Sequence, residues 1–231
     1  MNSEHEAENL KEEVEIPPPT YNEVSDIIQK LRNNKAPGPD NIIAELIKEG
    51  GRKLKHRIYM LILKIWEKGE LPADWENSII CPIYKKGDRM QCKNYRPITL
   101  LNVTYKIFAT ILCNRLSEIM EGKLGEYQIG FRPNRSTVDN IFILVQMYVK
   151  CYEYNIELHD VFIDFNQAFD SINRSTVIKV LNEMQIPGKI VSLVNMVTQH
   201  TKDNCGLKIM TIVSKTEFCE LIPAEGACWI S

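Results

Sequence analysis

The sequence lacks several patterns that would point to a membrane, secreted or zinc-binding protein. No apolar run approaches the roughly 18 residues that a membrane span requires. The opening residues, MNSEHEAENLKEEVE, are acidic, whereas a secretory signal begins basic and continues apolar. Seven cysteines are present, but they form no CxxC pair and no short Cys/His cluster of the kind that zinc sites use. We therefore predict free thiols, no membrane partner and an intracellular location, in the nucleus or the cytoplasm.

A strongly basic charge balance is also missing. The 28 Lys and Arg residues and 30 Asp and Glu residues give a net charge of −2. Seven Glu and one Lys lie in the first 23 residues, so the remainder carries 23 acidic and 27 basic side chains and is mildly basic. An ordinary solvated surface would have the same balance. Charge alone therefore does not identify a nucleic-acid partner.

Apolar periodicity and turn residues predict an order of helices and strands. Capping boxes are expected at Thr20 with Glu23 and at Ser136 with Asp139, and Asp40 is expected to cap the second helix. The predicted segments are a disordered acidic leader over 1–19, helices over 20–33, 40–50, 54–68, 100–120, 136–154, 174–183 and 187–200, a β-hairpin with strands at 78–84 and 95–99, a buried strand at 158–165, and short strands near 207–213 and 217–222.

The most informative segment ends the predicted buried strand. Asp164 follows the apolar stretch Val161-Phe162-Ile163. Burying a lone carboxylate costs several kcal/mol unless a partner or a cation compensates its charge. Metal binding by Asp164 is one explanation, and capping of the turn into a following helix is the other. The residues alone leave both open.

Five segments, in this order, resemble motifs of reverse transcriptases from non-long-terminal-repeat (LINE-type) retrotransposons. They are KAPGPD at 35–40, NYRPI at 94–98, QIGFR at 128–132, RST at 135–137 and DFNQAFD at 164–170. The resemblance covers about residues 21–200. It implies a mixed α/β (α+β) fold that contains the fingers and an incomplete antiparallel palm sheet of a right-hand polymerase. The implied units are the leader at 1–19, a helical N-terminal region at 20–76, fingers at 77–157 and a partial palm at 158–231.

The resemblance also implies an activity and a metal site. Enzymes of this family add deoxynucleotides (dNTPs) to the 3′-hydroxyl of a DNA primer on an RNA template and use Mg²⁺ or Mn²⁺. Palm carboxylates in such polymerases hold two divalent ions. Asp164 is implied as the first of these carboxylates, and the backbone carbonyl of Phe165 as a further ligand. Phe169 matches the aromatic residue that excludes ribonucleotides, although a core aromatic side chain is the alternative.

Five basic side chains receive roles from the same resemblance. Lys85 and Lys86, at the tip of the predicted hairpin, and Arg96, on its return strand, are expected to face the triphosphate of the incoming nucleotide. A solvated surface turn is the alternative for the two lysines. Arg132 and Arg135 are expected to contact phosphates of the template or primer.

The sequence departs from the family pattern in two places. None of its nine aspartates is adjacent to another, whereas the family carries a downstream Asp-Asp pair in the palm. Where the family has a RQGxxLSP loop, the chain reads AEGACWIS at 224–231. One carboxylate cannot hold two ions, so we expect a truncated domain with no polymerase activity and weak or absent metal binding. A non-catalytic nucleic-acid-binding module and a domesticated protein-interaction module are the alternatives; no pattern indicates an oligomeric state.

Overall fold

The computed structural model describes residues 15–164 and 172–199. Within them the fold is mixed, with helices and one small antiparallel sheet, as predicted. The elements are α1 (Tyr21–Gln29), α2 (Ala44–Glu49), α3 (Gly51–Lys68), β1 (Ile79–Tyr84), β2 (Tyr95–Leu100), α4 (Val103–Glu121), α5 (Thr137–Glu153), α6 (Arg174–Glu183) and α7 (Gly188–Gln199), with short 3₁₀ turns at Ala73–Trp75 and Cys92–Asn94.

Local sequence signals determine several helix ends. The hydroxyl of Thr20 accepts a hydrogen bond from the backbone N–H of Glu23 at 3.1 Å, and the Glu23 carboxylate accepts one from the N–H of Thr20. Ser136 and Asp139 form the same reciprocal motif at the start of α5. Gly69 closes α3 with a φ of 68°, in the left-handed region that glycine enters without a steric cost. These three predictions are confirmed.

The prediction that Asp40 caps the second helix is wrong. Its carboxylate accepts a hydrogen bond from the N–H of Ile42 at 3.1 Å, and α2 begins only at Ala44. Because an aspartate can bond the backbone two residues onward, it stabilises a turn here in place of a helix start. The second helix ends at the Gly50-Gly51 pair as predicted, because Gly50 is the C-cap of α2. Gly50 is also the N-cap of α3, which begins at Gly51 and so starts three residues earlier than predicted.

The predicted hairpin is confirmed as an antiparallel pair of β1 and β2. The N–H of Lys85 donates to the carbonyl of Asn94 at 2.8 Å and closes the ladder at the tip. Pro82 stands directly opposite Pro97. Hydrogen-bonded and non-bonded pairs alternate along an antiparallel ladder, so the two prolines occupy a non-bonded pair and their missing N–H groups cost no bond between the strands.

Helix α4 lies at the centre of the core. Phe108, Ile111 and Leu112 on this helix are fully buried. Helices α1 and α7 pack against α4, α3 packs against α1 and α2, and α6 packs against α7. One apolar cluster therefore connects the N-terminal helices with the last two described helices.

A single arginine ties the N-terminal elements to α4. The guanidinium of Arg115 donates to both carboxylate oxygens of Glu23, at 2.8 and 3.1 Å, and to the carbonyl of Pro17. It also lies over the ring of Trp66, 4.7 Å from the ring centre. The segment before α1, α1 itself and α3 are thereby held to one side chain of α4.

The prediction of a buried strand at 158–165 is wrong for the part that the structure describes. Residues 158–164 form no strand, and Val161 and Phe162 are 83% and 73% exposed. A strand persists only where neighbouring strands bond its backbone groups, and none of the described residues forms a strand beside this segment. The strands predicted near 207–213 and 217–222, and most of the leader, lie outside the described residues.

Helix α5 exposes most of its apolar side chains. Of its residues, all of which are described, only Asn140 is buried, whereas Phe142 is 63% exposed. An apolar surface of this extent is typical of a contact with another segment or molecule. No helix in the described part of the chain is both long enough and apolar enough to cross a membrane.

Candidate nucleic-acid interface

Two of the sequence motifs meet at the start of α4. In the KAPGPD loop, Gly38 is buried against the backbone of Leu101 and Asn102. A Cβ atom on Gly38 would lie 2.5 Å from the nitrogen of Asn102, which is closer than real Cβ contacts allow. Glycine thus permits the close approach that fixes this loop beside the end of β2, the strand of the NYRPI motif.

A cleft with a volume of about 910 Å³ opens between α1, the KAPGPD loop, β2 and α4, and is called the basic cleft below. Apolar side chains form much of its wall. Four cationic residues line it, namely Lys30, Arg32, Lys35 and Lys106. None of the described residues that line it is a carboxylate. A concave, partly apolar surface that is lined only by positive charges focuses a positive potential, which attracts phosphate groups.

Lys106 is the most enclosed cation of the basic cleft. Burial lowers the pKa of its ammonium group, while the charge of Asp40 acts in the opposite direction. Lys106 is half-buried and forms no ion pair with any described residue. Because a partly dehydrated charge interacts more strongly with a counterion than a fully solvated one, Lys106 is well suited to hold a phosphate.

The hairpin tip presents cations to solvent. Lys85 and Lys86 are both exposed. The tip is ordered by internal contacts, since the guanidinium of Arg89 lies 5.2 Å from the ring centre of Tyr84, whose hydroxyl donates to the carbonyl of Gly87. The two lysines therefore extend from a turn that these contacts stabilise. Whether they contact a nucleotide stays a prediction.

Arg96 lies on β2 and is exposed. It pairs in register with Ile83, and the next two residues, Pro97 and Ile98, line the basic cleft. The structure thus places Arg96 on the strand that forms one border of the cleft, with its guanidinium open to solvent.

Arg132 makes its polar contacts within the protein. Its side chain is 5% exposed and donates to the carboxylate of Glu121 at 2.7 Å and to the carbonyls of Gly125 and Gln128 at 2.7 and 3.1 Å. The hydrogen bond from Arg132 lowers the pKa of Glu121, and the charge of Arg135 adds to the effect. Arg135 itself is exposed. Arg132 therefore holds the turn after α4, and Arg135 faces solvent.

Of the three predicted palm residues, the structure describes only Asp164. Asp164 is exposed and belongs to no strand, while Phe165 and Phe169 lie outside the described residues. Among residues 15–164 and 172–199, no three His, Cys, Asp or Glu side chains lie close enough to hold a metal ion. The described part of the chain does not by itself fit a two-metal centre.

Sequence motifs missed three cations of the basic cleft, Lys30, Arg32 and Lys106. Lys30 and Arg32 follow the last turn of α1, and Lys106 comes from α4, so no short motif contains them. One signal was available for Lys106, because it interrupts the apolar run from Val103 to Cys113. A charge inside such a run indicates either a helix edge or a binding group.

Residues 83–215 match the family described as reverse transcriptase (RNA-dependent DNA polymerase). The chain belongs to this family. The match covers more than half of the 231 residues and includes the end of β1, the hairpin tip, β2 and helices α4 to α7. The resemblance seen in the motifs is confirmed.

Several relatives of this reverse transcriptase chain come from retrotransposons of LINE type. It is 32% identical over 153 residues to the probable RNA-directed DNA polymerase from transposon X-element of Drosophila melanogaster, covering 65% of this chain and 17% of that protein. Identity to the RNA-directed DNA polymerase from mobile element jockey of the same species is 27%, with 66% and 17% covered. The transposon TX1 uncharacterized 149 kDa protein of Xenopus laevis is 27% identical, with 88% and 15% covered. The chain thus spans about one sixth of the length of these relatives.

Proposed function

We propose that this chain supplies the nucleic-acid-binding fingers and the first part of the palm of a LINE-type RNA-directed DNA polymerase. In this proposal residues 20–76 form the helical N-terminal region, 77–157 the fingers and 158–231 part of the palm. The reaction is the addition of deoxynucleotides to the 3′-hydroxyl of a DNA primer on an RNA template, with release of pyrophosphate. The observation that carries the proposal is the basic cleft, which adjoins the strand of Arg96 and is lined by four cations and, among the described residues, by no carboxylate.

The basic cleft suits a strand that is bound irrespective of its sequence. A polymerase must accept any template, so its contacts have to fall on phosphates and sugars, which are the same for every base. Lys30, Lys35 and Lys106 provide ammonium groups for phosphates, and the apolar side chains of Pro97 and Ile98 provide a surface for sugars. Binding of this kind weakens steeply as salt rises.

The exposed cations beyond the cleft complete the proposed interface. Lys85, Lys86 and Arg96 would neutralise the triphosphate of the incoming nucleotide, as ammonium and guanidinium groups do for phosphoryl oxygens. Arg135 would contact a phosphate of the template or primer. Arg132 acts as a positioning residue in this scheme, because it holds the turn that leads to Arg135.

The palm part of the proposal rests on the family resemblance. Asp164 and the carbonyl of Phe165 would hold Mg²⁺ or Mn²⁺, and Phe169 would exclude ribonucleotides. A divalent ion supplies charge stabilisation to the transferred phosphoryl group when it is bound. The described residues do not assemble a metal centre. The nucleic-acid binding proposed for the basic cleft and the hairpin tip therefore does not require a metal ion.

Replacing Lys30, Lys35 and Lys106 by Gln is expected to weaken binding to an RNA–DNA primer–template duplex about tenfold or more at low salt. Each lost phosphate contact lowers the slope of log K against log salt by about 0.7 to 0.9, so three should lower it by roughly 2 to 3. Fluorescence anisotropy over a salt series measures both quantities. The matched control changes three other lysines to Gln, Lys123, Lys150 and Lys179. Equal losses in both variants would show that only net charge matters and would remove the cleft from the proposal.

The isolated 231-residue chain is expected to bind a primer–template without extending the primer. It has no adjacent pair of aspartates to accompany Asp164, and one carboxylate leaves most of the coordination of two ions unfilled. Gel analysis with all four deoxynucleotides and either Mg²⁺ or Mn²⁺ measures extension. Primer extension that Asp164→Asn abolishes would overturn this expectation, whereas binding without extension fits the chain acting as a non-catalytic module.

A further inference from the structure

Helix α3 carries a row of cations on its solvent side. Lys53, Arg57, Lys64 and Lys68 are separated by four, seven and four residues. These spacings are close to whole numbers of helical turns, so the four side chains lie on one face. All four are exposed, whereas the buried residues of this helix, among them Ile62, lie on the opposite side. The row is called the α3 stripe below.

The fold gives a structural role to one residue of the α3 stripe, Lys68, and none to the other three. None of its four side chains forms an ion pair within the described residues, and Glu67 is the one acidic residue of the helix, which is described throughout. Lys53 lies in the first turn, where the helix dipole disfavours a cation, and Lys68 lies in the last turn, where the dipole favours one. Surface helices usually mix charges of both signs. A polyanionic partner explains an excess of positive charge of which only Lys68 stabilises the helix.

The α3 stripe is separate from the basic cleft, because none of its residues lines that cleft. It extends over 15 residue steps, or about 22 Å of helix at 1.5 Å per residue. That length matches about six nucleotides of a stacked strand at roughly 3.4 Å each. Cations four residues apart are about 6 Å apart along the axis, which allows successive side chains to reach different phosphates.

An exposed aromatic ring adjoins the first half of the stripe, because His56 follows Lys53 by three residues and residues three apart are neighbours on a helix surface. The imidazole of His56 is exposed, and its centre lies 6.3 Å from the ring of Tyr21 and 6.1 Å from that of Tyr59. Tyr21 and Tyr59 pack edge to face at 5.7 Å. Aromatic side chains beside a cationic track are the arrangement on which unpaired bases stack. A duplex keeps its bases inside, so the rings favour a single strand.

We propose that the outer face of α3 binds single-stranded nucleic acid, with phosphates on the α3 stripe and one base on the cluster of His56, Tyr21 and Tyr59. This surface lies beyond the proposed polymerase interface and requires neither a nucleotide nor a metal ion. The chain would then have a second nucleic-acid-binding site, for a single strand that is not bound in the basic cleft.

The test uses the full chain and a labelled single-stranded RNA of mixed sequence, about 20 nucleotides long so that it exceeds the stripe severalfold. The variant Lys53→Gln, Arg57→Gln, Lys64→Gln, Lys68→Gln is expected to bind at least about tenfold more weakly at low salt. Four lost contacts should lower the log–log salt slope by roughly 3, at about 0.7 per phosphate. The control, Lys123→Gln, Lys150→Gln, Lys179→Gln, Lys189→Gln, has the same net charge and should change both quantities much less.

His56→Ala separates stacking from charge. It is expected to weaken RNA binding several-fold while leaving the salt slope unchanged, because a stacked base releases no counterion. Thermal melting of each variant confirms that it is folded. Equal losses in the stripe and control variants, or an unchanged affinity in the stripe variant, would overturn the proposal and identify the stripe as a solvated face.

Two further arms separate this proposal from its competitors. Retained RNA affinity together with lost binding to vesicles of anionic phospholipid in the stripe variant would assign the surface to membranes and overturn it. The primer–template assay with the cleft variant tests the proposed polymerase interface separately from the α3 surface. If the cleft variant binds the primer–template more weakly and the stripe variant binds RNA normally, the polymerase interface is supported and only the α3 surface is refuted. If the stripe variant alone loses affinity, only the cleft is refuted.

Discussion

Replacing Arg132 by Met is expected to destabilise the fold by roughly 3 kcal/mol. The guanidinium is nearly inaccessible and donates to the carbonyls of Gly125 and Gln128, and hydrogen bonds to charged groups contribute about 1.5 to 3 kcal/mol each. Met keeps the apolar stem and loses these bonds. The difference in the free energy of unfolding between the wild type and the variant therefore measures the contribution of the polar contacts. Urea unfolding followed by circular dichroism measures the change in the free energy of unfolding.

Arg135→Met is the control for that experiment, because Arg135 is exposed and bonded to no described carbonyl. Its stability should change by less than about 0.5 kcal/mol, and its affinity for a primer–template should fall. The opposite pattern, in which Arg132→Met leaves the free energy of unfolding unchanged but abolishes binding, would show that Arg132 contacts phosphates directly, as the motif suggested.

The same arginine makes stability depend on pH. Arg132 lowers the pKa of Glu121 below its ordinary value of 4.5. A carboxyl group with a depressed pKa in the folded state contributes stability that is fully present above the unfolded pKa and is lost as pH falls through the folded pKa. Stability of the wild-type chain should therefore decline below about pH 4.5, and this part of the decline should be smaller in Arg132→Met.

Phe108→Ala is expected to have the largest effect of any single change considered. Phe108 is fully buried on α4, the helix against which α1 and α7 pack. Truncating a buried Phe removes apolar contacts and leaves a cavity, at a cost of about 3 to 5 kcal/mol. Domains of this size are stable by only about 5 to 15 kcal/mol, so a large fraction of the variant should unfold in urea concentrations that the wild type tolerates.

Phe142→Ala provides the matched comparison. Phe142 also lies within a helix, but it is 63% exposed on α5. Its removal should change the free energy of unfolding by less than about 0.5 kcal/mol. A comparable loss at both positions would mean that the outer face of α5 is covered in solution and that α4 is not the dominant core element.

Elements defined by local signals could be predicted from the sequence. Helix α6 runs from Arg174 to Glu183 as predicted, because Asn173 caps its start and the chain carries a plain helical period. The hairpin and the two capping boxes were also found, since a turn or cap depends on residues close in sequence. The segment at 158–164 could not be placed in this way. Its apolar composition fits a strand, but a strand depends on distant partners.

The candidate site was only partly predictable for the same reason. A motif identified Arg96, which lies in the short string NYRPI at 94–98, whereas Lys35 lies in the KAPGPD motif but received no role from it. The basic cleft also needs Lys30 and Lys106, and their approach depends on how α1 packs against α4. The internal contacts of Arg132 were not predicted, because its partner Glu121 comes from the end of a different element. Sequence spacing does not reveal such a pair.

The opposed prolines of the hairpin bear on how this chain avoids aggregating. In a non-bonded pair the backbone nitrogens point away from the partner strand, so Pro82 and Pro97 each leave a missing donor on an outer edge of the sheet. A strand from another molecule that docked on either edge would find the ladder interrupted at its middle. The exposed and apolar hairpin, with Ile80 half accessible, can therefore project from the protein without acting as a template for intermolecular β-pairing.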